Sequence, residues 1–139
     1  MTSEVQADRK LPAPLLNPEA KAWFDASAEG RLPYRQCDAC GIAHHYPRSV
    51  CPHCFSSATG WKQSAGRGWI YSYSVLRRGT PVPYALAYVT LDEGVTMLTN
   101  IIDCDLDALR IGMRVALRFI EAEGGARLPV FAPAEEGIQ

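Results

Sequence analysis

The hydrophobic positions change rhythm about halfway along the chain. From residue 69 onward they alternate with polar ones, the pattern of strands with one buried face. Trp69, Tyr71, Tyr73 and Val75 mark one face of the first run. Tyr84 to Leu91 is apolar on both faces, and the turn Asp92-Glu93-Gly94 separates it from a third run, Val95 to Ile102. Asp103 to Gly112 is a mostly polar stretch holding Leu106, Leu109 and Ile111, which predicts one helical turn. Val115, Leu117 and Phe119 mark a fourth strand, and Glu123-Gly124-Gly125 turns the chain again. Leu128 to Phe131 forms a fifth, whose Pro129 predicts an edge or a bulge. Five short strands with a helical insertion between the third and fourth fit a small OB-fold barrel. A five-stranded sandwich alternates in the same way, and the position of the insertion favours the barrel.

The first half reads differently. Leu11-Pro-Ala-Pro-Leu-Leu is an extended arm, because two prolines exclude a helix. Asn17-Pro18-Glu19 is a helix start, with a capping side chain, proline at the first helical position and an acid that the helix dipole favours. The helix runs through Trp23 and Phe24 and stops at Gly30. Two short strands follow, Leu32 to Gln36 and Ala43 to Arg48, each leading into cysteines. The domain organisation is then a flexible tail over 1–16, the helix and lead-in strand over 17–36, a cysteine ribbon over 37–62, the barrel over 63–134 and a second tail over 135–139. The whole is mainly β.

The chemistry concentrates in that ribbon. Cys37-Asp-Ala-Cys40-Gly41 and Cys51-Pro-His-Cys54 are two CxxC pairs separated by ten residues. Two tight turns of this kind present four thiolates to one ion, and zinc suits them, being tetrahedral and content with four sulfurs at about 2.3 Å. Four protein ligands leave no open position for a catalytic water, so one zinc per chain would supply stability and shape. A redox CxxC pair and a rubredoxin-like iron centre are the alternatives. His44, His45 and His53 lie inside the ribbon and are superfluous as ligands beside four thiols. Cys104 stands apart and reads as a small buried hydrophobe.

Length and composition narrow the rest. The chain has 139 residues, 47% hydrophobic and 21% charged, which fits one globular domain and excludes wholesale disorder. Met1 to Lys10 is polar, without the apolar core of a secretory signal, and no run of about 18 apolar residues exists. The expected location is the cytoplasm, with no membrane association, where reduced thiols bind metal rather than pair as disulfides. The net charge of −1 argues against a bulk electrostatic binder of nucleic acid, yet it is unevenly spread. Residues 1–30 carry −2, residues 31–78 carry +6 and residues 79–139 carry −5. The basic middle suits phosphates or an acidic protein surface. Serine elbows, zinc-protease helices, Walker loops and long glycine-rich dinucleotide loops are all missing from the sequence. Gly66-Arg67-Gly68 is too short to cradle a phosphate. The aromatic row Trp69, Tyr71 and Tyr73 reads as core, with base stacking as the alternative.

CDACG…CPHC, GRGWIYSYSVLRR, PYALAYVTLDEGVTMLTNII and DALRIGMRVALRF together resemble a bacterial and archaeal zinc-ribbon/OB-fold family first known as a domain of unknown function. The resemblance runs from about residue 17 to residue 133. It implies a rubredoxin-type knuckle pair, an OB barrel that binds acyl-CoA and a thiolase-like partner enzyme. The partner's chemistry would be acyl transfer or retro-aldol cleavage of steroid side-chain CoA esters. On this reading the chain is an accessory subunit without activity of its own, in a heterotetramer. Charge and position, not a family motif, point to Arg67, Arg77 and Arg78 as contacts for the coenzyme's phosphates. A zinc-ribbon/OB module for single-stranded nucleic acid is the competing expectation.

Overall fold

The computed structural model describes residues 11–14 and 17–134. The predicted tails at 1–10, 15–16 and 135–139 lie outside the described residues. Leu11 is buried against Ala122 and Val130, and its carbonyl accepts from the Glu123 N–H at 2.9 Å.

Helix α1 spans Lys21–Ala28, one turn later than the sequence predicts. Asn17 is the reason. Its side-chain oxygen takes the Ala20 N–H at 2.9 Å and its carbonyl takes the same N–H at 3.1 Å, so residues 18–20 form a turn ahead of the helix. Gly30 ends the helix as expected: it sits at φ 82°, its N–H reaches the Ser27 carbonyl and the next N–H reaches Ala26. The helix docks on the last strand, where the Ser27 hydroxyl donates to the Arg127 carbonyl and the Arg127 guanidinium caps the Ala28 carbonyl at 3.3 Å.

A three-stranded sheet follows, in the order β2-β1-β3, from β1 Pro33–Cys37, β2 Ala43–His44 and β3 Thr59–Gln63. The second strand is two residues long, not six, because the chain bends away before Pro47. The third was not read from the sequence at all. It pairs with β1 along its whole length, Pro33 opposite Gln63 and Cys37 opposite Thr59.

The remainder is the five-stranded closed barrel, in the order β4-β5-β6-β8-β7. Its strands are β4 Arg67–Leu76, β5 Tyr84–Leu91, β6 Thr96–Ile101, β7 Arg114–Glu121 and β8 Arg127–Pro133. The predicted helical turn is the 3-10 turn Leu106–Ala108 between β6 and β7. The barrel is filled by Ile70, Val89, Leu91, Ile101, Val115 and Phe131, with Trp23 and Leu32 packed on it from outside its strands. Among the described residues no helix is long and apolar enough to cross a membrane.

Two expectations change here. Pro129 marks no edge strand: β8 lies between antiparallel β7 and parallel β6. The Thr99 hydroxyl donates to the Pro129 carbonyl at 3.3 Å, so the proline's donor-free side faces β6. β6 pairs with β8 only at Ile101 and Phe131, so no ladder bond is lost. Nor is the aromatic row a core face. Gly68 and Ile70 point inward, and Trp69 and Tyr71 point out, Tyr71 being 64% exposed. The pairing then slips between Ile70 and Ser72. This bulge reverses the phase, so Tyr73 and Val75 stand opposite the buried Ala87 and Ala85. Tyr73 lies at the barrel's end and donates its hydroxyl to the Leu109 carbonyl at 2.9 Å.

Gly68 lets β4 and β5 close together. A β-carbon there would lie 2.3 Å from the Thr90 carbonyl oxygen, against backbone that cannot step aside. Gly68→Ala is therefore expected to cost about 3 kcal/mol. Gly79→Ala, in open space at φ 73°, is expected to cost about 1 kcal/mol. Urea unfolding of both variants checks this, and equal midpoints would contradict it.

Candidate metal centre and adjoining groove

The two CxxC turns have one construction. In the first, the Cys37 N–H reaches the Ile42 carbonyl and the Gly41 N–H reaches the Cys37 carbonyl. In the second, the Cys51 N–H reaches the Ser56 carbonyl and the Phe55 N–H reaches the Cys51 carbonyl. Each turn also aims a backbone N–H at its first sulfur: Cys40 to Cys37 Sγ at 3.4 Å, and His53 to Cys51 Sγ at 3.3 Å. β1 delivers Cys37 and its pairing with β3 holds the ribbon's two long strands together.

The turns bring all four sulfurs within 4.8 Å of one another. Cys37 and Cys54 are 3.6 Å apart, and Cys40 and Cys51 are 3.7 Å apart. Four sulfurs held tetrahedrally at zinc–sulfur distance would stand about 3.8 Å apart, so the donor set fits zinc. The separations are far from a disulfide bond, and all five cysteines are free thiols. Cys37 and Cys51 are buried, whereas Cys40 and Cys54 are exposed. Burial opposes ionisation of Cys51, yet the N–H groups of Cys54 and His53 bring its thiol down to about 7. The Ser56 N–H favours the Cys54 thiolate, but its contact with Cys37 prevails and pushes it up to about 12. Thiols coupled this closely lose their protons in steps that belong to the cluster and not to single cysteines.

None of the three histidines joins this cluster. His44 is buried beside it, and burial lowers its pKa. His53 is exposed on the second turn. His45 packs its ring 5.5 Å from Trp23, and burial, with His44 next to it, pushes its pKa down to about 4. Cys104 is buried, and burial raises its thiol to about 11.

Beside the ribbon lies a mostly apolar groove of about 470 Å³. Trp23 and Phe24 of α1, His45 and Tyr46 of the ribbon, and Tyr88 and Leu98 of the barrel line it. The sequence reading missed it, because its walls come from three separate elements. The signals present were adjacent aromatic pairs, Trp23-Phe24 and His45-Tyr46, each placing one ring deeper than the other. Tyr88 and Leu98 also border a smaller hollow of about 230 Å³ over the outer face of β4 to β6, with Ser72, Ser74 and Leu86.

The three arginines do not converge. Arg67 opens β4 near Asp92, whose pKa is lowered chiefly by Arg114, bonded to it twice at 3.0 Å, and to a lesser extent by Arg67. Arg77 and Arg78 follow the far end of the same ten-residue strand, about 30 Å away. Arg77 pairs with Asp107 at 2.6 Å on the surface, and Arg78 is exposed.

Two predictions follow from this geometry. The purified chain should be colourless and carry one zinc, and Cys37→Ser should lose both the metal and the ribbon's circular-dichroism signal. A red, iron-loaded chain would contradict the zinc assignment. His45 resists protonation when folded but not when unfolded. Its contribution to stability is therefore full above about pH 6.5 and lost as pH falls toward 4. Relative to His45→Asn, the wild type should lose about 2 kcal/mol between pH 7 and pH 4.5, the metal's own pH dependence being common to both. Parallel stability curves would refute it.

Comparison with known proteins places these features. Residues 24–60 match the family described as the rubredoxin-like zinc ribbon domain of ChsH2, and residues 61–119 match its C-terminal OB-fold domain. A "DUF35 domain-containing scaffold protein" of Methanothermobacter thermautotrophicus is 30% identical over 76% of this chain and 84% of its own length. A "Probable enoyl-CoA hydratase alpha subunit" of Thermomonospora curvata is 38% identical over 88% of this chain. The chain spans only 40% of that relative's length. Among solved structures, a chain of the "Ltp2-ChsH2(DUF35) aldolase" is 37% identical with a TM-score of 0.78, covering 88% of this chain and all of that one.

Proposed function

The chain belongs to the DUF35 family, which joins a rubredoxin-like zinc ribbon to an OB-fold, and from that premise we propose that it is a non-catalytic scaffold subunit of an acyl-CoA enzyme complex. Its partner is a thiolase-like enzyme, and the chain helps to hold the acyl-CoA. The observation that carries the reading is the groove, whose size and apolar lining suit a small organic ligand. Zinc, where bound, closes the ribbon and supplies shape; the four cysteines hold it.

The groove and the outer hollow share Tyr88 and Leu98, and together they run along the barrel toward the end of β4. On this reading an acyl-CoA lies with its apolar part in the groove, near the neutral His45, and its phosphates toward Arg77 and Arg78. Arginine forks suit phosphate oxygens. Arg67 lies a strand's length from that end and serves as a comparison. The finer expectation belongs to the same proposal: the partner cleaves or transfers acyl-CoA, steroid side-chain esters included, in a heterotetramer. The relative in the aldolase structure and the relative named for an enoyl-CoA hydratase support an acyl-CoA context.

Co-expression with a thiolase-like subunit from the same genome tests this. The two chains should co-elute, and acyl-CoA turnover should need both. In the complex, the Arg77→Glu, Arg78→Glu double variant should weaken acyl-CoA binding about tenfold or more by calorimetry, and Arg67→Glu far less. A chain that stays alone and binds single-stranded oligonucleotides in a salt-sensitive way would replace the reading with the nucleic-acid module, for which the exposed Tyr71 and Trp69 would be the stacking platform.

A further inference from the structure

The two knuckles ask the same thing of their fifth residue and receive different answers. Gly41 sits at φ 78° and Phe55 at φ 65°, and each returns its N–H to the first cysteine's carbonyl. Glycine is the unstrained residue for this left-handed position. A bulky aromatic there is a strained outlier. Strain of this kind persists where the side chain earns its place by some other contact. Within this chain Phe55 has little such contact, being 78% exposed. A β-carbon at Gly41 would meet nothing within 4 Å, so packing is not what separates the two knuckles.

Phe55 is not isolated as an exposed apolar group on the ribbon. Ile42, next to the first knuckle, is 45% exposed, and Val50, next to the second, is 44% exposed. The charged side chains of the ribbon from residue 32 to residue 62 are Arg35, Arg48 and Lys62 against the single acid Asp38. Arg35 is engaged within the fold, over Trp61 and bonded to Thr59, whereas Arg48 and Lys62 are exposed. Glu19, from the turn before α1, bonds the Ser49 N–H and feels Arg48.

We propose that Phe55 is the anchor by which the ribbon docks on its partner enzyme, entering an apolar socket with an acidic rim that faces Arg48 and Lys62, with Ile42 and Val50 against the socket's edge. The inference rests on the subunit reading above and names the surface that serves it. An aromatic side chain with few internal contacts suits the role, because a buried aromatic anchor carries much of the energy of a protein interface. The cationic flank suits the acidic rim and would speed encounter at low salt.

Phe55→Gly separates folding from docking. In the zinc-loaded chain alone it should leave the melting temperature unchanged or raise it, because the strain is gone and few contacts are lost. For the purified partner subunit that binds the wild type, its Kd should rise at least tenfold, measured by calorimetry. Phe55→Tyr should bind like the wild type. Ile42→Asn, which leaves the left-handed turn untouched, should weaken binding by a smaller factor, and raising the salt should slow association. If Phe55→Gly binds the partner as tightly as the wild type, the docking proposal is overturned and the subunit reading stands. If Phe55→Gly lowers the melting temperature by several degrees, Phe55 is a folding residue and the proposal is overturned as well. If the wild type binds no thiolase-like subunit, the subunit reading falls and takes this proposal with it.

Discussion

Four sulfurs around one point hold the ribbon, from β1 to β3, in shape. The ribbon has little else to do so: one of its strands is two residues long, and its longer strands are five residues each. A segment that small does not bury enough apolar surface to fold by packing alone. Metal ligation closes both knuckles at once, and its free energy becomes folding free energy. The consequence reaches beyond the ribbon. His45 and Tyr46, between the two knuckles, form one wall of the groove, so the shape of the groove depends on the cluster.

The barrel is held by a different constraint, close packing. β4 and β5 approach so closely at Gly68 that a methyl group has no room. The bulge just beyond exchanges the strand's two faces. Tyr71 faces solvent by the alternation that precedes the slip, and the bulge brings Tyr73 round to close the barrel end. The Glu93 carboxylate takes the Ser64 hydroxyl at 2.7 Å and the Ala65 N–H at 2.8 Å, which ties the β5–β6 turn to the linker between ribbon and barrel. Helix, ribbon and barrel thus meet along one line, and the groove is that line.

Much of this was legible because the chemistry is local. Two CxxC spacings fix the ligands, and alternating or continuous apolar runs bounded by turns mark five strands, with the bounds Tyr84–Leu91 matching in full. What was illegible depends on distant partners. β3 has only five residues and no strong alternation, and it exists because β1 offers it an edge. The aromatic row looked like one face because a bulge leaves no mark in the period of a single strand. The groove draws on residues from positions 11 to 129, and no window along the chain contains it. Arginines close in sequence proved to lie at opposite ends of a strand, since charge alone carries no direction. The strain at Phe55 was equally hidden, being a dihedral angle and not a residue type.

Hydrogen exchange of the zinc-loaded chain, before and after chelation, tests the central claim that the cluster builds the ribbon and one wall of the groove while the barrel stands on its own packing. The account predicts that amides of β1, β3 and residues 43–46 lose their protection when zinc is removed. Those of β5 and β6 should keep theirs. Ribbon amides that stay protected without metal, or a barrel that melts together with the ribbon, would contradict it.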